Sequence, residues 1–451
     1  MPHDLTVAAL GVLTLTIVSS LPVGGQGSVA RPDPLQAVAI VGTSVLSMDG
    51  PGVQAGQTVL IRGGRITAIG PEGSFPLPGG ALSIDGHGRF LLPGLVDAHV
   101  HLFGEESIPD LVLYLMNGVT TVRNMHGEPY HLRLRDELAR GARLGPTLYT
   151  TSAFADVDAI HSVVEARNFV RKAKSQGYDA IKVHRPLPPD LFIAVADEAR
   201  RVHIPLVGHA PDPRVGLDGA ARAGQRTIEH AESIMQEGTN QQAPDSADIP
   251  RLARQLRGTS VCVTPTLVVF KSVVQITEQY PELAGLLARQ EMQFVSPALR
   301  TAWMPGQNEY VTRWRGHEAE VPGALAKFRR QYVWMQHLTK TLSDAGVPIV
   351  AGSDAPGGMA IPGFSLLEEM RLLNAAGLSP YRVLTAATRD AARCLGGDAE
   401  FGTVSVGKRA DLVLLDRNPL EDLSALNTPV GVVARGRWLS ASRLRQLARS
   451  R

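Results

Sequence analysis

Short apolar runs separated by glycine-containing turns dominate both ends of the chain. Residues 57–70, QTVLIRGGRITAIG, read as two strands flanking Gly63-Gly64, which is typical of a β-hairpin with a two-residue turn. Strand patterns of the same texture lie at residues 37–48, 81–92, 410–415 and 430–438. Because the two ends resemble each other more than either resembles the middle, we expect one small β domain built from both termini.

The middle of the chain alternates apolar strand patterns with helical periodicity, which predicts a parallel sheet. Helical patterns cover residues 108–117, 159–176 and 189–203, and part of the long stretch 268–346 is expected to form a cap. Strands are predicted at residues 94–101, 119–125, 146–151, 180–184, 205–209, 226–230, 260–266 and 348–354. Eight βα units in about 300 residues fit a (β/α)8 barrel.

The predicted fold class is therefore α/β, a (β/α)8 TIM barrel with a small discontinuous β-sandwich domain formed from both termini.

The apolar run at residues 5–18 and the small residues that end Ser28-Val29-Ala30 predict an export signal, although its first residues carry no Lys or Arg. An uncleaved anchor or a misassigned start codon is the alternative. The expected boundaries are 1–30 for the signal peptide, 31–92 and 398–445 for the β-sandwich domain, and 93–397 for the barrel.

Composition narrows the class of protein. The chain has 451 residues, of which 44% are hydrophobic and 20% charged, and this balance excludes a largely disordered chain. The formal net charge of +2 gives no indication of nucleic-acid binding. No segment after the signal is apolar enough for a stable membrane span. The only cysteines, Cys262 and Cys394, exclude a disulfide framework and a zinc site built from several cysteines, and Cys262 is expected in the core.

Candidate chemistry lies at the ends of the predicted strands. Alternation along the first barrel strand places Asp97, His99 and His101 on one face, where the two imidazoles could bind one metal ion. This short motif alone is weak evidence for a metal site, since two buried polar residues with hydrogen-bond partners would give the same sequence pattern. Other metal-capable side chains end later strands, and the active sites of barrels lie at those strand ends. They are Lys182 and His184, His209, His230 and Asp354.

A lysine inside a barrel is costly unless it is paired or neutralised. Lys182 could form an ion pair with a neighbouring carboxylate, or it could be carboxylated, so that its carbamate oxygens bridge two metals. Zinc accepts imidazole nitrogen and carboxylate-like oxygen, and two such ions would activate a bridging water. Asp354 could both bind a metal and take the proton of that water as general base.

Taken together, these segments resemble the amidohydrolase superfamily, in its imidazolonepropionase-like and prolidase-like branch. The matching segments are PGLVDAHVHL at 93–102, GVTTVRN at 118–124, YDAIKV at 178–183, GHA at 208–210, TIEH at 227–230, AGSDAP at 351–356 and FGTVSVGKRADLVLLDRNP at 401–419. The resemblance implies a first metal held by His99, His101, Lys182 and Asp354. It implies a second metal held by carboxylated Lys182, His209 and His230, with Asp354 as the acid/base.

Two departures from the family pattern concern the pocket. The run at residues 123–127, RNMHG, stands where relatives often have an acidic residue and glycines, and His184 stands where they often have an aromatic residue. We expect His184 to be catalytic, and His126 to line the pocket, each binding a substrate carboxylate or a developing oxyanion. Four further residues are expected to be structural. Arg123 and Arg185 should form surface ion pairs, and His131 should lie on a loop or on a helix surface. Glu229 should point toward the helix layer.

The sequence thus predicts an exported enzyme with two zinc ions that hydrolyses C–N bonds of amides, cyclic amides or dipeptides through a metal-activated water. Alternatives of the same fold are a one-metal deaminase, an imidazolonepropionase-type ring opener and a lactonase. A catalytically silent exported protein that binds a metal or ligand is the alternative from another class. Lys182 argues against a one-metal site, and the full ligand set with Asp354 argues against a silent protein. The expected partner is a small-molecule amide or dipeptide, and a homo-oligomer is left open.

Overall fold

The computed structural model describes residues 36–238 and 245–450, and the expected signal peptide lies outside these ranges. Within them the strands form two sheets, one of eight strands and one of seven. The strands are β1 (Val38–Val45), β2 (Gln54–Arg62), β3 (Arg65–Pro71), β4 (Leu82–Asp85), β5 (Phe90–Pro93), β6 (Leu95–Val100), β7 (Val119–Asn124), β8 (Thr147–Ala155), β9 (Ala180–Val183), β10 (Leu206–Gly208), β11 (Gln225–Glu229), β12 (Cys262–Thr264), β13 (Leu412–Leu415), β14 (Gly431–Ala434) and β15 (Arg437–Ser440).

The eight-stranded sheet joins the two ends of the described chain. Its order is β15-β14-β13-β5-β1-β2-β3, and β4 pairs with β1. Strand β1 is parallel to β4 and β5, and the other pairs are antiparallel. The hairpin predicted at Gly63-Gly64 is confirmed: both glycines have positive φ, 54° and 79°, as a two-residue type I′ turn requires.

The seven-stranded sheet is the barrel wall. Strands β6 to β12 are neighbours in chain order, and every pair is parallel. On β6 the outward residues Val96 and Ala98 pack against Ala391 and Ala392 of a following helix. The predicted fold class, a barrel with a small β domain drawn from both ends of the chain, is thereby confirmed.

The eighth strand prediction, residues 348–354, is wrong as a continuous strand. This segment closes the gap between β12 and β6 through single bridges, Ile349 with Val263 and Ala355 with Val100. At its end Asp354 adopts a positive φ of 54°. The segment therefore completes the barrel without forming a regular strand, and it delivers Asp354 to the carboxyl end.

Helices cover the outside of the barrel and fill its insertion. The helical patterns at 108–117, 159–176 and 189–203 are confirmed as α1, α3 and α4, with a 3₁₀ turn (Glu105–Asp110) before α1. The helices are α1 (Leu111–Met116), α2 (Pro129–Ala139), α3 (Val163–Gln176), α4 (Pro189–Arg201), α5 (Gly216–Ala223), α6 (Ala231–Gly238), α7 (Ile249–Leu256), α8 (Leu267–Glu278), α9 (Ala284–Leu287), α10 (Pro297–Ala302), α11 (Glu309–Thr312), α12 (Val321–Asp344), α13 (Phe364–Ala375), α14 (Pro380–Ala386), α15 (Arg389–Leu395) and α16 (Ala441–Arg449). None of the helices described is long and apolar enough to cross a membrane.

Local sequence explains the ends of α3. The side chain of Ser162 accepts a hydrogen bond from the backbone N–H of Glu165, which satisfies one of the free donors of the first turn. The helix ends at Gly177, whose left-handed φ of 91° few other residues adopt at low cost. These two signals are local in sequence, which is why the prediction of this helix holds.

The two cysteines are joined, a feature that the sequence analysis did not predict. Cys262 of β12 and Cys394 of α15 form a disulfide with their Cα atoms 6.3 Å apart. Cys262 lies in the core as expected, and it packs with Val350 and Ala391 between the barrel wall and the helix layer. With 132 residues separating the two sulfurs along the chain, no local pattern indicates the pairing.

Candidate metal centre

The inward face of β6 and the segment before α13 bring three donors together. One carboxylate oxygen of Asp354, Oδ1, lies 3.2 Å from His99 Nε2 and 3.0 Å from His101 Nε2. The ring of His230 lies 4.6 Å from that of His99, centroid to centroid. Ligand atoms of His99, His230 and Asp354 all lie within 4.8 Å of one another. Three strand ends of the barrel thus converge on one point that could hold a cation.

A hydrogen-bonded clamp fixes the turn that carries Asp354. Asp97 of β6 accepts hydrogen bonds from the backbone N–H of Ser353 at 2.8 Å and from its hydroxyl at 2.6 Å. The backbone N–H of Asp354 donates to the carbonyl of His99 at 2.7 Å. Asp97 therefore positions the turn rather than pointing into the centre of the site.

The remaining predicted ligands form a second group beside the first. His209 lies 4.8 Å from His230 and 5.0 Å from His184, measured between ring centroids. Lys182 of β9 is 1% exposed, and its Nζ has no hydrogen-bond partner among the residues that the structure describes. Burial lowers the pKa of Lys182 to about 8, although the negative charges of Glu229 and Asp354 act to raise it.

The simple ion-pair explanation for Lys182 is not what the structure shows. Within residues 36–238 and 245–450, no carboxylate oxygen lies within 4.0 Å of its Nζ. A buried amine without a partner is costly, and it is the state expected of a group that a bound species completes.

Glu229 does not face the helix layer, and this expectation was wrong. The residue after it, His230, has a positive φ of 68°, which breaks the alternation of β11, so both side chains reach the interior. Glu229 is fully buried and lies 2.9 Å from His99 Nδ1 through Oε2. Its other oxygen accepts a hydrogen bond from Arg123 Nη2 at 2.6 Å.

The expectation of a surface ion pair was also wrong for Arg123, which is 4% exposed. Its Nε donates to the carbonyl of Ala98 at 2.7 Å, so the guanidinium ties β7 to β6 and, through Glu229, to β11. Burial opposes ionisation of Glu229, but the positive charge of Arg123 holds the pKa of the carboxyl well below its usual range. Arg185, in contrast, forms the expected surface ion pair, with Asp158 at 2.7 Å.

The network sets the orientation of His99. Because an ionised Glu229 can only accept, the Nδ1 of His99 carries the proton of this hydrogen bond. The lone pair of Nε2 then faces Asp354 and the candidate metal position. Carboxylate partners of this kind fix the tautomer of metal-binding histidines and raise their basicity.

Aromatic rings and two further histidines line one side of the site. His184 stacks on Phe154 with centroids 3.9 Å apart, and its Nδ1 lies 3.3 Å from Asp156 Oδ2. His126 lies 4.3 Å from the same phenylalanine ring. The structure thus brings both predicted pocket histidines to Phe154, with His184 held toward His209 by its carboxylate partner.

His131 is a third residue whose placement differs from expectation. It is fully buried rather than on the surface. Its Nδ1 accepts a hydrogen bond from the backbone N–H of Glu128 at 2.9 Å, and its Nε2 lies 2.8 Å from the carbonyl of Leu102. His131 therefore fastens the loop after β6 to the start of α2, a role that no local motif reveals.

The electrostatics suit a metal. Burial lowers the pKa of His101 to about 4 and holds the pKa of His209 and His230 well below the ordinary value. Burial acts against ionisation of Asp354, but its contacts with His99 and His101 hold the pKa of its carboxyl low. The site therefore offers neutral imidazoles and an ionised carboxylate, the donors that zinc prefers.

Opposite the barrel wall, the insertion reaches the site. Burial, and then the negative charges of Glu309 and Asp354, raise the pKa of Tyr310 at the start of α11. Arg313 lies over the ring of Tyr310, with its Cζ 4.6 Å from the centroid. Part of the stretch 268–346 thus lies within electrostatic range of the predicted acid/base.

Comparison with known proteins places this geometry in a family. The model of the amidohydrolase family matches residues 90–439, which include every candidate ligand. The imidazolonepropionase of Anaeromyxobacter dehalogenans is 27% identical over 428 residues, covering 88% of this chain and 94% of that protein. A shorter match, 34% identical over 138 residues, covers 30% of this chain and 31% of the imidazolonepropionase of Acidiphilium cryptum.

Solved structures are similar over most of the chain. A bottromycin amidohydrolase has a TM-score of 0.71 and 26% identity, covering 93% of this chain and 89% of that chain. A Xaa-Pro dipeptidase with methionine bound in its active site has a TM-score of 0.70 and 18% identity, covering 90% of this chain and 100% of that chain. The second likeness shows the fold alone.

Proposed function

The chain belongs to the amidohydrolase family and is a hydrolase acting on C–N bonds, and from this we propose a binuclear zinc enzyme that cleaves amides, cyclic amides or dipeptides. The single observation that carries the proposal is Lys182, a buried amine that has no partner among the described residues and lies within electrostatic range of His101, His209, His230 and Asp354. Its neutral amine would react with carbon dioxide and release one proton, and the two oxygens of the resulting carbamate would provide one anionic ligand for each of two metals.

The residues divide into two ligand sets that share Lys182. His99, His101 and Asp354 would hold the first ion, and His209 and His230 would hold the second. Zinc bound there supplies Lewis acidity, which activates water and polarises the scissile carbonyl. Loss of the shared residue would remove one ligand from each set at once.

The chain's own residues supply proton transfer and orientation. Asp354 would take the proton of the attacking water and return it to the leaving nitrogen, and the clamp from Asp97 holds it in place for both. Glu229 keeps the Nε2 of His99 directed at the metal position. His184, held by Asp156, would bind a substrate carboxylate or the developing oxyanion.

A second candidate function rests on a specific observation. The tightest donor group that the described residues form is His99, His230 and Asp354, which could hold one ion without Lys182. A one-metal hydrolase of a cyclic amide, of the kind that the imidazolonepropionase relatives are named for, would use this group alone. A lactonase remains a further variant, since an activated water attacks esters as well as amides.

Metal content and hydrolysis of the Lys182→Ala variant separate these candidates. We expect two zinc ions per chain in the wild type, and loss of at least one ion and of nearly all activity in the variant. Lys182→Arg should also lose metal and activity, because a guanidinium keeps its charge and cannot form a carbamate. The measurements are elemental analysis and a hydrolysis screen with N-acyl amino acids, dipeptides, cyclic amides and lactones.

Lys174→Ala is the matched control, since its Nζ donates to the carbonyl of His203 on the outside of the barrel. This variant should keep the metal content and activity of the wild type. If Lys182→Ala kept two metals and full activity, the bridging lysine would be excluded. One ion per chain in an active wild type would favour the one-metal candidate.

A further inference from the structure

A large groove lies on the outside of the barrel, away from the metal centre. Its volume is about 880 Å³, within the range of about 300–1,000 Å³ that small-molecule sites occupy. Its walls come from α8, α9 and the 3₁₀ turn Gln290–Phe294, from α13, and from α16 of the C-terminal segment. None of the candidate metal ligands is among the residues that line it.

The charge of the groove is strongly positive. Its carboxylates are Glu291 and Glu368, and Glu368 is already bound by Lys271 at 2.6 Å and by Arg371 at 3.0 Å. Its cationic side chains are Lys271, Arg289, Arg371, Arg445 and Arg449. Arg445 and Arg449 form no ion pair or hydrogen bond with any residue that the structure describes, so cationic groups remain free for a ligand.

Arg289 is the most enclosed of these cations. Its Nε donates to the carbonyl of Leu286 at 3.0 Å and its Nη2 to the carbonyl of Met359 at 2.9 Å. Both partners are neutral, and no carboxylate oxygen of the described chain lies within 4.0 Å of this guanidinium. Burial opposes the charge of this side chain, yet a guanidinium stays protonated in proteins. The carboxylates of Glu291 and Glu368 favour this charge from beyond ion-pair distance, and an anion bound directly to the guanidinium would offset more of the cost of its burial.

Beside the cations, the groove has an apolar wall. Phe294 and Phe364 stack with ring centroids 5.7 Å apart and an interplanar angle of 22°. Leu286 and Ile361 lie behind this surface and are almost fully buried. A ligand that satisfies both surfaces needs one anionic group and one apolar part.

We propose that this groove is a second binding site, distinct from the metal centre, for a small organic carboxylate with an aliphatic or aromatic tail. The carboxylate binds Arg289 and the free arginines of α16, and the tail lies against Phe294 and Phe364. Arg289 also reaches the carbonyl of Met359, five residues beyond Asp354, so the site borders the segment that carries the predicted acid/base.

Calorimetric titration of the full chain with octanoate tests this site, with 1-octanol as the neutral probe of the same length. We expect one octanoate per chain and at least about tenfold weaker binding of 1-octanol, because hydrogen bonds to charged groups are the stronger class. Arg289→Gln and Arg445→Gln should each weaken octanoate binding, by about tenfold and by about threefold. Arg443→Gln is the matched control on α16, since its side chain binds Gln446 and does not line the groove.

Because a carboxylate could also bind metals, the titration is repeated after chelation and with Lys182→Ala. Binding that survives both treatments and is lost with the groove variants supports the proposal. Binding that disappears on chelation, or that Arg289→Gln and Arg445→Gln leave unchanged, overturns it. Arg445 is exposed, so its replacement tests the site even if Arg289→Gln fails to fold.

Discussion

At the scale of single residues, the orientation of His99 decides what the site can bind. Glu229 lies 2.9 Å from His99 Nδ1 and 2.6 Å from Arg123 Nη2, and all three side chains are buried. The chain of contacts runs from a cation through a carboxylate to a ligand histidine. Glu229 links the other two members, so its replacement is expected to affect both the charge of Arg123 and the orientation of His99.

Glu229→Gln should therefore weaken metal binding by about 10–100-fold, the usual cost of losing such a carboxylate partner. It should also lower the free energy of unfolding by about 3 kcal/mol, because Arg123 is left as an uncompensated buried charge. Metal titration and urea unfolding measure the two effects. Glu198→Gln is the control, since Glu198 lies on the outer helix α4 and forms ion pairs with Arg171 of α3 and Arg201 of α4. Unchanged metal affinity in Glu229→Gln would show that the network does not orient His99.

Asp354→Asn tests the proposed acid/base. The replacement is nearly isosteric and should keep the fold, and we expect kcat to fall about 10²-fold or more, the usual weight of general acid–base catalysis. Circular dichroism and metal analysis check that folding and metal content account for none of the loss. Asp158→Asn, in an exposed ion pair with Arg185, should leave kcat unchanged. Turnover near that of the wild type in Asp354→Asn would remove this residue from the mechanism.

At the scale of elements, the barrel is held together partly by a covalent link between β12 and α15. The disulfide of Cys262 and Cys394 closes a loop of 132 residues on the outer side of the strands. Chain-entropy reasoning for such a loop gives about 5 kcal/mol, and measured values are usually about 2–4 kcal/mol. The link acts on the wall of the barrel and not on the ligands.

Replacing both cysteines by alanine should lower the free energy of unfolding by about 2–4 kcal/mol and leave kcat unchanged in the folded enzyme. Urea unfolding of the variant and of the wild type, each with and without reductant, measures the effect. The reductant should shift the midpoint of the wild type alone. If the wild-type midpoint does not respond to reductant, the two cysteines are not joined in the protein.

At the scale of the whole molecule, we propose that the chain is exported. The apolar run at 5–18 and the pattern Ser28-Val29-Ala30 are the motive, and a disulfide is the form that cysteines take in an oxidising compartment. We expect the mature protein to begin near Arg31. N-terminal sequencing of secreted or periplasmic material measures this, and exported material that begins at Met1 would count against cleavage. A cytoplasmic enzyme with free thiols would contradict export itself.

Much of the molecule follows from local sequence. Apolar strand patterns that alternate with helical periodicity locate the strands of the barrel, and the Gly63-Gly64 turn and the caps of α3 follow from residues a few positions apart. The inward face of β6 could be predicted for the same reason, since the period of a strand places His99 and His101 together. The candidate ligands could be named because each one lies at or near the end of a segment that the sequence marks as a strand, although the segment that ends at Asp354 forms no regular strand.

Tertiary structure alone decided the rest, because it depends on residues far apart in the chain or on backbone that leaves the regular pattern. The positive φ of His230 takes that residue out of the alternation of β11, so that His230 reaches the interior together with Glu229, which there meets Arg123, 106 residues away. The segment at 348–354 meets its neighbours only through single bridges, and folding brought Cys262 to Cys394 across 132 residues. The period of a strand predicts the face on which a side chain lies only while the backbone stays extended. It carries no information on which residue, distant in the sequence, that side chain will contact.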